Sequence, residues 1–129
     1  MQLQATTSIA LWLLSYLTSH RGVTSGPEIA YALGVKRQRL TEPVGRLKEY
    51  GYIQTVPGTF GGYALKKAPE DITVQEILEL FHDDLHMNQV RMREADYDAA
   101  ISGMKRLIEK AEHDFEATMS ACTLADLMR

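Results

Sequence analysis

Cysteine is nearly missing from this chain: Cys122 is the only one in 129 residues. One thiol cannot close an internal disulfide, and it cannot supply a cysteine-based zinc site or a self-contained iron–sulfur site. Long hydrophobic runs are missing too. The longest, Ile9 to Leu17, falls well short of the roughly 20 residues that span a bilayer. No Lys or Arg precedes it, so it lacks the charged start of a secretory signal. The expectation is a cytoplasmic protein with no membrane partner. Nor is there a nucleophile–base set, a phosphate-binding loop or a zinc-protease motif. An enzyme reading has no support.

What is present suits a folded protein. A hydrophobic content of 45% over 129 residues provides one ordinary core, or one domain with an extension. The net charge of −3 conceals a division: residues 1–68 hold eight basic and three acidic side chains, and the remainder six basic and fourteen acidic. A basic front half suits a chain that offers one end to a polyanion.

Ile9, Ala10, Leu13, Leu14 and Leu17 fall at helical spacing and predict a first helix over Thr7 to Thr18. Trp12 and Tyr16 flank that stripe, and Trp12 is expected in core or interface packing. Ser25-Gly26-Pro27-Glu28 reads as a helix start, with Ser25 as cap, Glu28 returning the bond and Pro27 in the first turn. Ile29, Ala30 and Leu33 supply the inner face, and Gly34 ends the helix in a left-handed conformation.

The next periodic segment follows almost at once. Leu40, Val44 and Leu47 form its inner face, leaving Lys36, Arg37, Gln38 and Arg39 exposed at its start. Two short helices joined by a glycine-containing turn make a helix-turn-helix unit. Its second helix touches base edges with its N-terminal residues. Inside a helix Pro43 would cost about 3 kcal/mol, so this helix either starts near Thr41 or kinks.

Beyond it, Tyr52 to Val56 has a strand pattern that runs into Pro57-Gly58, and a second strand pattern begins at Gly62. This describes an exposed β-hairpin, or wing. Ile72-Thr73-Val74-Gln75-Glu76-Ile77 then holds a capping box, Thr73 with Glu76, and a hydrophobic staple. It predicts a fourth helix from Thr73 to Phe81 or His82. His82 and His86 stand four apart and would share a helix face, but no third ligand accompanies them. A surface location is the expectation, with no metal.

From Glu94 to Ala117 the apolar positions Tyr97, Ile101, Met104, Ile108, Ala111 and Phe115 alternate steps of four and three. That narrow seam packs one long helix, about 36 Å for 24 residues, against another. A homodimer seam is expected. Cys122 stands seven residues beyond Phe115 and is a candidate for a redox crosslink between copies, against a small buried filler. Thr123 and Asp126 predict a last short capped helix over Leu124 to Met128.

In this order the motifs resemble the Rrf2 family of bacterial winged helix-turn-helix transcription regulators. The likeness rests on Glu28-Ile29-Ala30, on Leu40 with Arg46-Leu47, and on Gly51-Tyr52-Ile53. Its most specific element is the wing signature Gly58-x-x-Gly61-Gly62-Tyr63-x-Leu65; Asp71 to Ile77 and Thr123 to Leu127 add to it. The resemblance implies a mainly α fold with a small β-hairpin wing. A winged helix-turn-helix DNA-binding domain would occupy 1–67, and a helical linker with a long dimerisation helix 68–129.

The resemblance also implies a homodimer on a pseudo-palindromic operator in double-stranded DNA, with the third helix in the major groove and the wing approaching the minor groove. Carried over to this sequence, Lys36, Arg37, Gln38, Arg39, Thr41 and Glu42 are base-reading candidates. Thr7, Arg46, Lys48 and the wing turn Gly58, Thr59 and Phe60 are backbone-positioning candidates. Many relatives carry an Arg just before the first wing glycine, where this chain has Pro57. Many also hold an iron–sulfur cluster with three cysteines ahead of the dimer helix; residues 82–97 here contain none, so no cofactor is expected. Control would fall to a small-molecule effector, a partner protein or oxidation. The alternative is a winged-helix interaction module without sequence-specific DNA binding.

Overall fold

Leu13, Leu14 and Leu17 lie three or four residues apart, so a helix places them on one face. In the computed structural model, which describes residues 3–83 and 99–129, all three are buried on α1 (Ala5–Ser19). Around this helix stand α2 (Gly26–Leu33), a 3₁₀ turn (Arg37–Leu40), α3 (Thr41–Glu49) and the hairpin β1 (Ile53–Val56) and β2 (Gly62–Leu65). A 3₁₀ turn (Pro69–Asp71), α4 (Val74–Leu80), the long α5 (Ala99–Ser120) and a last 3₁₀ turn (Ala125–Met128) follow. The architecture is mainly helical with one two-stranded antiparallel hairpin and a long C-terminal helix. No helix among the described residues is long and apolar enough to cross a membrane.

The core is continuous. Ile29 from α2, Leu47 from α3, Ile53 from β1, Ile77 from α4 and Leu124 beyond α5 join the α1 leucines in one buried cluster. The boundary expected at residues 67 and 68 therefore does not divide the core.

Pro43 resolves simply. The 3₁₀ turn ends at Leu40 and α3 starts at Thr41, so Pro43 stands in the first helical turn. Its missing N–H is one that a helix start leaves without an intrahelical partner. Of the two alternatives, a start near Thr41 or a kink, the start at Thr41 is found. The α2 cap is half of what was expected. Ser25 Oγ accepts from the Glu28 amide at 3.2 Å, but the Glu28 carboxylate accepts from the Tyr16 hydroxyl at 3.2 Å. Gly34 closes α2 with φ +68°.

The hairpin is in register from Ile53 opposite Leu65 to Val56 opposite Gly62. Thr24 adds a third short edge: its N–H donates to Tyr63 O at 2.9 Å and its carbonyl accepts from Tyr63 N at 2.8 Å. A Cβ on Gly62 would lie 2.2 Å from Thr24 O, so only glycine allows these backbones to meet.

The Thr73–Glu76 capping box is complete, with Thr73 N donating to Glu76 Oε1 at 2.6 Å and Glu76 N to Thr73 Oγ1 at 3.2 Å. The other carboxylate oxygen accepts from the Tyr52 hydroxyl at 3.0 Å and lies 3.5 Å from Lys67 Nζ. Burial first, then the bond to Glu76, pushes the Tyr52 phenol up to about 12.

α4 ends at Leu80, and His82 adopts a left-handed φ of +54°, off that helix; His86 lies outside the described residues. Tyr97 also lies outside them. α5 stops at Ser120, and the Cys122 carbonyl accepts from Val74 N at 2.9 Å. The chain has left the helical repeat there, which takes Cys122 off the seam that carries Phe115.

Leu14→Ala is expected to cost about 2–5 kcal/mol through lost burial and a residual cavity, read as a lower urea midpoint. For Tyr52 the folded phenol ionises later than the unfolded one. Its contribution is thus complete below pH 10 and lost as pH rises towards about 12. Alkaline melts should show this loss in the wild type and lack it in Tyr52→Phe.

Candidate nucleic-acid interface

Three features of the local sequence build the candidate surface. Leu40 is buried and anchors the 3₁₀ turn, which leaves Lys36, Arg37, Gln38 and Arg39 exposed around it. Thr41 and Glu42 are exposed on the first turn of α3, while Val44 and Leu47 face the core. The strand pairing through Thr24 then brings Tyr63, one pair below the hairpin turn, beside the start of α2. Arg37, Gln38, Leu40 and Thr41 consequently share one cleft, about 420 Å³, with Gly26 and the wing residue Tyr63.

This cleft unites three of the six base-reading candidates. Lys36 precedes the turn and is exposed at its edge. Glu42 is exposed but does not line the cleft. Arg39 turns the other way, into a second groove of about 370 Å³ lined by Ile9, Trp12, Leu33 and Val35 among others. Trp12, expected in packing, is 67% exposed there. A 3₁₀ turn advances three residues per turn, so Arg39 cannot share a face with both Arg37 and Gln38. Among the described residues the side chains of Lys36, Arg37, Arg39 and Lys48 have no ion-pair partner. These cations are open to a polyanion.

Two backbone-positioning candidates are drawn into the protein's own contacts. Thr7 is fully buried in α1, with its hydroxyl unpartnered among the described residues; it is a core residue and cannot reach a phosphate. Arg46 is half-buried, donates from Nη1 to the Leu80 carbonyl at 2.8 Å and lies 5.7 Å from the Phe81 ring centroid. It ties α3 to the end of α4, so its guanidinium is already engaged. Lys48, Gly58, Thr59 and Phe60 are exposed as expected.

Gly26 and Tyr63 were not among the site candidates. Tyr63 belongs to the Gly-Gly-Tyr signature and Gly26 to the helix start. Both sequence signals were visible, but each reads locally as structure. Only the Thr24–Tyr63 pairing joins them to the reading segment.

Set beside known proteins, this arrangement is a familiar one. The Rrf2 family model, described as "Iron-dependent Transcriptional regulator", matches residues 3–129. The chain belongs to the Rrf2 family. Family members of this kind are transcriptional regulators, not enzymes. The chain is 27% identical over 135 residues to the HTH-type transcriptional regulator NsrR of Bacillus subtilis (strain 168), covering 100% of this chain and 91% of the relative. In fold it is similar to T. potens IscR, with TM-score 0.78 and 22% identity over 99% of this chain and 86% of that one. The oxidized form of Staphylococcus aureus CymR gives TM-score 0.78 and 23% identity over 98% and 95%.

The family description names iron, and the donor set here does not fit a cysteine-held cluster. Such clusters need several thiolates, and this Rrf2 chain has one, half-buried at Cys122 with its carbonyl bonded to α4. Among the described residues no group of three His, Cys, Asp or Glu side chains comes together to hold a metal ion.

Arg46→Ala is expected to lower stability by about 1–3 kcal/mol, because the Leu80 carbonyl loses a charged donor. Lys48→Ala should leave the melting temperature nearly unchanged, and calorimetry of the two variants separates the tie from the free cation.

Proposed function

We propose that this Rrf2 chain is a sequence-specific DNA-binding repressor, working in the bacterial cytoplasm as a homodimer on a pseudo-palindromic operator. The observation that carries the reading is the cleft where Arg37, Gln38 and Thr41 meet the wing. An Arg suits guanine O6 and N7, and a Gln suits adenine N6 and N7, each as a bidentate contact in the major groove. Thr41 accepts either base, and Glu42 beside it suits the amino group of cytosine. Lys36, Arg39 and Lys48 supply phosphate contacts, which fix the register without reading sequence.

α5 supports pairing of two copies. None of its 22 residues is buried, although Ile101, Ile108 and Phe115 are half-covered and Met104 and Leu107 are more than half exposed. Ala111 is exposed between them. A helix about 33 Å long with an apolar stripe buries it against a second helix. Two protomers joined this way present two reading clefts, and a twofold protein reads a palindrome with half-sites about 34 Å apart or a multiple of it. The controlling signal in this reading is a small molecule or a partner protein instead of an iron–sulfur cluster.

Selection from a genomic library at physiological salt should recover a short inverted repeat, bound by a species of twice the chain mass in light scattering. A monomer, or equal binding to every duplex, would sink the reading and leave a protein-interaction module. Gln38→Ala should cost about 1–3 kcal/mol and relax one base position in each half-site. Lys48→Ala should weaken all sequences alike and lower the salt slope by about one per protomer, measured from binding isotherms at several salt concentrations.

A further inference from the structure

The tip of the hairpin carries no charge. Between β1 and β2 stand Pro57, Gly58, Thr59, Phe60 and Gly61. The cations nearest in sequence, Lys66 and Lys67, lie beyond the other end of β2. Lys67 is occupied there by Glu76 and by the Tyr52 ring, whose centroid is 5.2 Å from its Nζ. Phe60 is 95% exposed, more than any other large hydrophobic residue of the described chain.

Single exposed apolar side chains are ordinary on protein surfaces, but this one is held on a closed turn. Gly61 N donates to Gly58 O at 3.0 Å, so Thr59 and Phe60 are the two central residues of a hydrogen-bonded β-turn. A Cβ on Gly61 would lie 2.1 Å from Val56 O, which shows how tightly the turn is folded against the strand below. The hairpin under it is fixed to the body through Thr24 and Tyr63, and Tyr63 borders the same cleft as Arg37, Gln38 and Thr41. The ring therefore stands on a turn anchored, one strand pair below, beside the reading segment.

We propose that Phe60 is a wedge: it enters between two base pairs from the minor groove and kinks the operator. This rests on the DNA-binding reading and adds an activity to it. A tip without a cation gains nothing from the strong negative potential of a narrow minor groove. An apolar ring gains instead by leaving water and stacking against a partly opened base step, which bends the duplex towards the major groove. Pyrimidine–purine steps such as TA and CA/TG open most readily. The wing accordingly selects a deformable step beside each half-site, and no hydrogen bond to those bases is needed. With two wings in a dimer, the kinks fall symmetrically about the operator centre.

The test uses the full chain and the operator recovered by selection. Bending is read from circularly permuted fragments, and unstacking from 2-aminopurine placed at the step facing the wing. The wild type should bend the site by some tens of degrees and brighten the probe. Phe60→Ala should lose both signals and bind about tenfold more weakly, within the range of a single lost step preference. Phe60→Leu should keep most of the bend, since it retains an apolar wedge. Exchanging the flexible step for a stiff A-tract should weaken the wild type and leave Phe60→Ala unaffected. The ring is solvent-exposed, so all variants should melt with the wild type. Specific binding to a straight operator, or an unchanged bend in Phe60→Ala, overturns the wedge alone. Failure of the wild type to choose any site overturns the wedge together with the reading beneath it.

Discussion

The burial of one face of α1 is the constraint from which the rest follows. Leu13, Leu14 and Leu17 are screened from water only because α2, α3, α4, the hairpin and the C-terminal turn each cover part of the helix. Removing apolar area from water is the largest favourable term available to a domain of this size. The elements that carry the candidate DNA-binding residues are thus positioned against the same helix. The reading turn is held by Leu40, α3 by Val44 and Leu47, and the wing by Ile53.

On that apolar frame a single carboxylate organises the polar contacts. Glu76 closes the cap of α4 with one oxygen and holds the Tyr52 hydroxyl with the other, with Lys67 beside it. Tyr52 stands immediately before β1. The start of α4 and the root of the wing are joined through one side chain, so the orientation of the hairpin relative to the helices is specified twice. Apolar packing sets it broadly, and this cluster sets it in detail. Buried polar groups that are fully partnered narrow a fold in this way.

The elements were legible where sequence signals are local. The capping box at Thr73, the stop at Gly34, the hairpin from its Pro-Gly turn and the long helix from its four-three spacing all follow from nearest-neighbour physics. What escaped depends on contacts between distant residues. Thr7 was a candidate only through the family resemblance, and the helical repeat turns it inward with the leucines. Arg46 looked like a free cation, and only the approach of Leu80, 34 residues away, shows that it is engaged. Arg39 was grouped with its neighbours by the resemblance, and the 3₁₀ turn places it on a second groove. The cleft itself arises from the Thr24–Tyr63 pairing, for which neither segment carries a signal alone.

The bond from Arg46 to the Leu80 carbonyl has a mechanical side. It joins the helix that follows the reading turn to the last residue of α4, at 2.8 Å and with Phe81 against the guanidinium. α4 ends just there, and Asp83, three residues on, accepts from the Gln4 amide ahead of α1 at 2.6 Å. Through these contacts the C-terminal part of α3, the end of α4 and the start of α1 meet at one corner of the domain.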